Sequence, residues 1–169
     1  MKQLLRVEGK VTPQCSRSHI TYTFYLPQGS SKISIHFNYE PKCLDDRQAA
    51  QKIICKELEH YIPEEDQQQY KDNWEAFLPL NNLITLSFDD ASGFRGCAHR
   101  HDHDQLFIIS EFDASPGLNP GIIASGHFKI TLSIHTVVTD SCCYRLNVWE
   151  GDETLDKVDA FRASYSYQP

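Results

Sequence analysis

Period-two alternation of apolar and polar side chains constrains this chain most, because it is the signature of a strand with one buried face. From His19 the run Ile20, Tyr22, Phe24 and Leu26 faces one way and Thr21, Thr23 and Tyr25 the other. The next run sets Ile33, Ile35, Phe37 and Tyr39 against Ser34, His36 and Asn38. Between them Pro27-Gln28-Gly29-Ser30-Ser31 supplies turn chemistry, which predicts a hairpin joining the two runs. Phe128, Ile130, Leu132 and Ile134 mark the clearest later strand, Phe128 to Thr136. Further strands are predicted at Leu83 to Phe88, Leu106 to Ser110, Cys143 to Trp149 and Phe161 to Tyr167, with a first near Leu4 to Glu8. A total of about eight suits a mainly β fold, an antiparallel two-sheet β-sandwich of jelly-roll-like form.

One stretch breaks the pattern. Between Asp45 and Ile62 the positions Ala50, Ile54, Leu58 and Tyr61 recur at helical spacing, Asp45 or Asp46 can cap the start, and Pro63 stands at the end. Residues 41–80 therefore read as one helical insertion between strands. The whole chain, 169 residues, reads as a single domain that hides roughly 70% of its unfolded surface.

Charge narrows the partners. Sixteen Lys and Arg against 23 Asp and Glu leave a net charge of −7, the wrong sign for a nucleic-acid binder. No apolar run approaches the ~20 residues of a membrane span, and Met1 to Glu8 lacks the apolar core of an export signal. The expectation is a cytoplasmic protein without membrane or nucleic-acid partners, its six cysteines reduced. Cys142 and Cys143, adjacent on a predicted strand, are expected to point inward and outward.

The densest turn chemistry lies in Phe88-Asp89-Asp90-Ala91-Ser92-Gly93-Phe94-Arg95-Gly96-Cys97, then Ala114-Ser115-Pro116-Gly117-Leu118-Asn119-Pro120-Gly121, then Gly126-His127-Phe128. Pro116-Gly117 and Pro120-Gly121 each place a fixed negative φ before a residue free to take positive φ, as type II turns require. Arg95, between Gly93 and Gly96, could tie its loop to Asp89 or Asp90 or reach toward a ligand. This order of turns, over about residues 83–140, resembles the N-terminal β-sandwich domain of the CehA/McbA-type metallohydrolases of the PHP phosphoesterase superfamily. In that family a catalytic domain opening on a His-x-His metal motif follows the sandwich, and it is not expected within this chain. The resemblance thus implies an accessory sandwich and transfers no metal ligand and no hydrolytic activity.

The sharpest chemical feature is His99-Arg100-His101-Asp102-His103-Asp104, three imidazoles and two carboxylates in six residues. On a straight strand His99 and His103 would stand roughly 13 Å apart, too far to share one ion, whereas His99 and His101 could. His127, Glu111 and Asp113 are candidates for a third ligand. The competing reading is a solvated connection between strands. Cys97, two residues before His99, is a candidate thiol partnered by a base. Trp74, Trp149, Tyr165 and Tyr167 could form a sugar or peptide platform, or fill the core edge. His36 and His135 occupy polar positions of alternating runs and are expected to face solvent.

These readings converge on a non-catalytic accessory, binding or assembly module that requires no cofactor. Its partner would be a separately encoded hydrolase domain or another copy of itself. Two alternatives stand beside it: a small hydrolase with a divalent transition metal on the His99 to Asp104 loop, and a carbohydrate- or peptide-binding sandwich.

Overall fold

The computed structural model describes residues 2–151, and eight strands form two antiparallel four-stranded sheets. The strands are β1 (Lys2–Val11), β2 (Ser18–Leu26), β3 (Lys32–Glu40), β4 (Leu83–Asp90), β5 (Gly93–Ala98), β6 (Asp104–Ser110), β7 (Gly126–Thr136) and β8 (Cys142–Glu150). Their order is β1-β8-β3-β6 in one sheet and β2-β7-β4-β5 in the other, the interleaved pattern of a jelly roll. Ile33, Ile35, Phe37 and Tyr39 lie fully buried against Phe128, Ile130, Leu132 and Ile134 of the facing sheet in one continuous core. Across that core the hydroxyls of Tyr22 and Tyr144 meet at 2.6 Å. Burial, helped by this bond, pushes the Tyr144 phenol well above its ordinary pKa.

The predicted hairpin between the second and third strands does not form: β2 pairs with β7, and β3 with β6 and β8. The turn at residues 27–31 instead carries the chain from one sheet to the other, with the Ser30 amide donating to the Ile123 carbonyl. Alternation dictated which side chains of both runs point inward, and both do so from opposite sides of the core. β5, which the sequence reads as a turn region, is a strand paired to β4 and interrupted by a register shift after Phe88. The predicted strand at Phe161 to Tyr167 lies outside the described residues.

The insertion follows β3. Helix α1 (Arg47–Tyr61) starts at Asp46, whose carboxylate accepts from the amides of Gln48 and Ala49 at 2.9 and 3.0 Å. It buries Ala50, Ile54 and Leu58, as the spacing predicts. A second helix, α2 (Glu64–Asp72), occupies the polar tract that carries no apolar periodicity, with Glu64, Glu65 and Asp66 in its first turn where the helix dipole favours acids. The neck is a short antiparallel pair, Cys43 against Asn81, with the Leu44 amide on the Leu80 carbonyl. Asn82 locks it: fully buried, its side chain donates to Pro41 and Thr139 and accepts from Val138.

All six cysteines are free thiols; Cys142 is buried and Cys143 exposed. Trp149 is buried on the face of β8 opposite Leu146 and Val148, rather than at the core edge. His36 also departs from its expected exposure, being 4% exposed with its Nε2 2.7 Å from Asp104. Among the described residues no helix is long and apolar enough to cross a membrane.

Candidate functional site

The turn cluster and the histidine run meet on one side of the sandwich. Residues 113–121 run beside both sheets at once, bridging β6 through Ile109 and Ala114 and β5 through Gly96 and Leu118. The Ser115 amide donates to Ile108, the Asn119 amide to Arg95 and the Gly121 amide to Ser110. This approach needs glycine twice. A Cβ on Gly96 would lie 2.2 Å from the Gly117 carbonyl oxygen, and one on Gly117 would lie 2.9 Å from that of Cys97. Gly117 and Gly121 both take positive φ, as predicted; Pro116-Gly117 forms the expected turn, closed by the Leu118 amide on the Ser115 carbonyl, whereas Pro120-Gly121, with Gly121 at φ 153°, is extended backbone and not a turn.

Arg95 holds the seal from inside. Its guanidinium donates to Asp90 Oδ2 at 2.5 Å and to the carbonyls of Asn119, Gly121 and Ile122 at 2.9–3.3 Å. The side chains of Arg95 and Asp90 are 11% and 2% exposed. Of the sequence alternatives, Asp90 and not Asp89 is the partner, and four bonds direct the guanidinium inward.

The histidine run crosses from β5 to β6 and its side chains diverge. His103 packs edge-on to Tyr39 with ring centroids 6.4 Å apart, while its carbonyl accepts from the Tyr39 amide. Asp104 pairs with His36, and Gln105 donates to the Asp102 carbonyl. His101 and Asp102 are exposed loop residues. His99 meets His135 of β7, ring centroids 5.7 Å apart. Among the described residues no three His, Cys, Asp or Glu side chains converge on a common point fit for a metal ion. Of the third-ligand candidates, His127 packs on Tyr25 at 5.1 Å, Glu111 is exposed just after β6, and Asp113 is exposed at the start of the sealing segment.

His135 is exposed, as the sequence predicts, but its place beside His99 is not legible there. It is the extra residue in β7 where the register with β4 shifts, and Thr85 lies 2.8 Å from its Nε2. Burial, then the neighbouring His99 and His19, lower its pKa. Two imidazoles sharing an ion at about 2.0 Å each would hold their centroids about 5 Å apart, so the pair has the span for two ligands. Cys97 is a poor nucleophile, since burial raises its thiol pKa and disfavours the thiolate.

A second feature lies on the opposite side. β2 ends its sheet, with β7 as its only ladder partner among the described residues. Its outer row is His19, Thr21, Thr23 and Tyr25, all exposed. Across to β7, Thr21 bonds Thr131 at 2.9 Å and His19 lies 3.1 Å from Ser133. Elsewhere, an apolar groove of about 370 Å³ runs along α1 beside Phe77 and Leu80. Trp74 is half-buried with the Arg47 guanidinium over its ring at 5.4 Å, Trp149 is buried, and Tyr165 and Tyr167 lie outside the described residues.

No protein-family model and no curated protein matches the chain. Among solved structures it is similar to the crystal structure of GEBA250068378 from Sulfurospirillum deleyianum, at 6% identity and a TM-score of 0.31. That comparison covers 88% of this chain and 99% of the other.

Proposed function

We propose that this sandwich is a non-catalytic module that works by binding or assembly. The observation that carries the reading is the contrast between its chemical groups and its open edge. Arg95 is taken up by Asp90 and three carbonyls, His36 by Asp104, and Cys97 is held as a thiol. The nine-residue β2 strand, by comparison, has no ladder partner on its outer side among the described residues. The resemblance of the Gly93 to Gly121 turns to the accessory sandwich of PHP-type metallohydrolases points the same way, with a separately encoded hydrolase domain or a second copy as partner. A cytoplasmic setting with reduced thiols accords with this reading.

The rival, a small metal-dependent hydrolase, draws on the His99–His135 pair. Two-metal hydrolysis needs several ligands around ions about 3.5–4 Å apart, and an open position for water. The deciding assay supplies zinc, manganese or iron to the wild type and to a His99→Ala, His101→Ala variant, with generic phosphodiester and ester substrates. The proposal expects no turnover from either. Metal-dependent turnover that is lost in the variant overturns it.

A further inference from the structure

We infer that β2 is a self-assembly edge: a second copy of this chain lays its own β2 antiparallel to the first, centred on Tyr22, and joins two four-stranded sheets into one of eight. This deepens the assembly reading and rests on it.

The four sheet edges are treated differently. β5 and β6 are covered by residues 113–121. β1 carries Lys2, Arg6, Glu8 and Lys10 and a register shift between Gln3 and Leu5, devices that discourage edge pairing. β2, Ser-His-Ile-Thr-Tyr-Thr-Phe-Tyr-Leu, has none of these. Of the eight described strands it is the one without Asp, Glu, Lys or Arg, it contains no Pro or Gly, and its nine pairs with β7 run without a shift. Leaving such an edge bare would expose a ready template for strand addition.

A second copy fits this template because the strand is self-complementary. An antiparallel partner centred on Tyr22 aligns His19 with Tyr25, Thr21 with Thr23, Ile20 with Phe24, and Tyr22 with its equivalent, while Ser18 at each end falls against Leu26, whose side chain is already buried in its own core. It is the register that pairs all nine residues. Polar residues of the outer row meet polar or amphipathic ones, and Ile20 and Tyr22, half-buried here while Phe24 and Leu26 are buried, meet apolar or aromatic partners. No charge is desolvated, and one patch serves both copies about a two-fold axis. Alternate residues turn their amide and carbonyl groups outward, so the ladder gains about eight hydrogen bonds. The net charge of −7 on each copy opposes approach, so association should strengthen as salt rises.

The test is sedimentation of the full chain across concentration, with a charge-reversal pair. Thr21 and Thr23 are exposed, so substitutions there leave the core intact, as unchanged denaturation midpoints would verify. In the proposed register a Thr21→Lys, Thr23→Lys variant sets lysine against lysine, and Thr21→Glu, Thr23→Glu sets glutamate against glutamate. Each alone should dimerise about tenfold more weakly than wild type, or not at all, while an equimolar mixture recovers a heterodimer. A wild type that stays monomeric up to about 1 mM overturns the inference. So does a dimer indifferent to both variants, or a mixture that fails to associate. None of these results bears on metal-dependent turnover, which judges the underlying reading separately.

Discussion

The side of the sandwich bearing β5 and β6 and the edge formed by β2 are both margins of the same two sheets, yet they are finished in opposite ways. At the first, Arg95, two close-packed glycines and the segment 113–121 spend backbone and side-chain hydrogen bonds on closure. At the second, nine uncharged residues hold a straight register with β7 and no strand pairs their far side among the described residues. The comparison teaches that chemically conspicuous residues can be structural, while a plain row of His19, Thr21, Thr23 and Tyr25 lies exposed along an edge.

The most severe way to break the contrast is Arg95→Ala. It leaves the buried Asp90 carboxylate with the Ser92 amide but no opposite charge and takes the donor from three part-buried carbonyls, so the denaturation free energy should fall by about 3–5 kcal/mol. Amide exchange along 113–121 should rise with it, whereas exchange in β2 relative to global unfolding should not change.

Gly117→Ala attacks the same closure with one methyl group. Its φ of 94° and the 2.9 Å approach to the Cys97 carbonyl predict a loss of about 1–3 kcal/mol, read from the urea midpoint. The matched change on the other margin, Thr23→Glu, which faces Lys129 of β7, should shift monomer stability by no more than about 0.5 kcal/mol. Equal costs at both sites would erase the distinction between a sealed margin and an open one.

The smallest expected effect is on pH dependence. His135 has its pKa lowered by burial and by His99 and His19, so the unfolded chain binds its proton more readily than the folded one. Its contribution to stability therefore falls as pH drops below about 6.5 and levels off below the folded pKa. Because the ring is exposed, the change should stay under about 0.5 kcal/mol. His99→Ala should reduce the slope below about pH 6.5 without removing it, since burial is the larger cause. A slope unchanged by that substitution would separate His99 from His135 electrostatically.

Local chemistry alone determined much of this protein. Alternation sorts Ile33, Ile35, Phe37 and Tyr39 to the core, the 3.6-residue period sets Ala50, Ile54 and Leu58 inward, and Pro116-Gly117 requires its turn. Each depends on residues close in sequence, whose side-chain directions follow from the backbone period. Tertiary structure decided the rest. Whether β2 bonds to β3 or β7 depends on which distant segment completes its ladder, and two inward-facing runs satisfy alternation equally well from one sheet or from two. The same holds for His99, whose neighbour proved to be His135 displaced by a register shift, and for His36, buried beside Asp104. A local pattern records which way a side chain points, and only the packed chain decides what it meets.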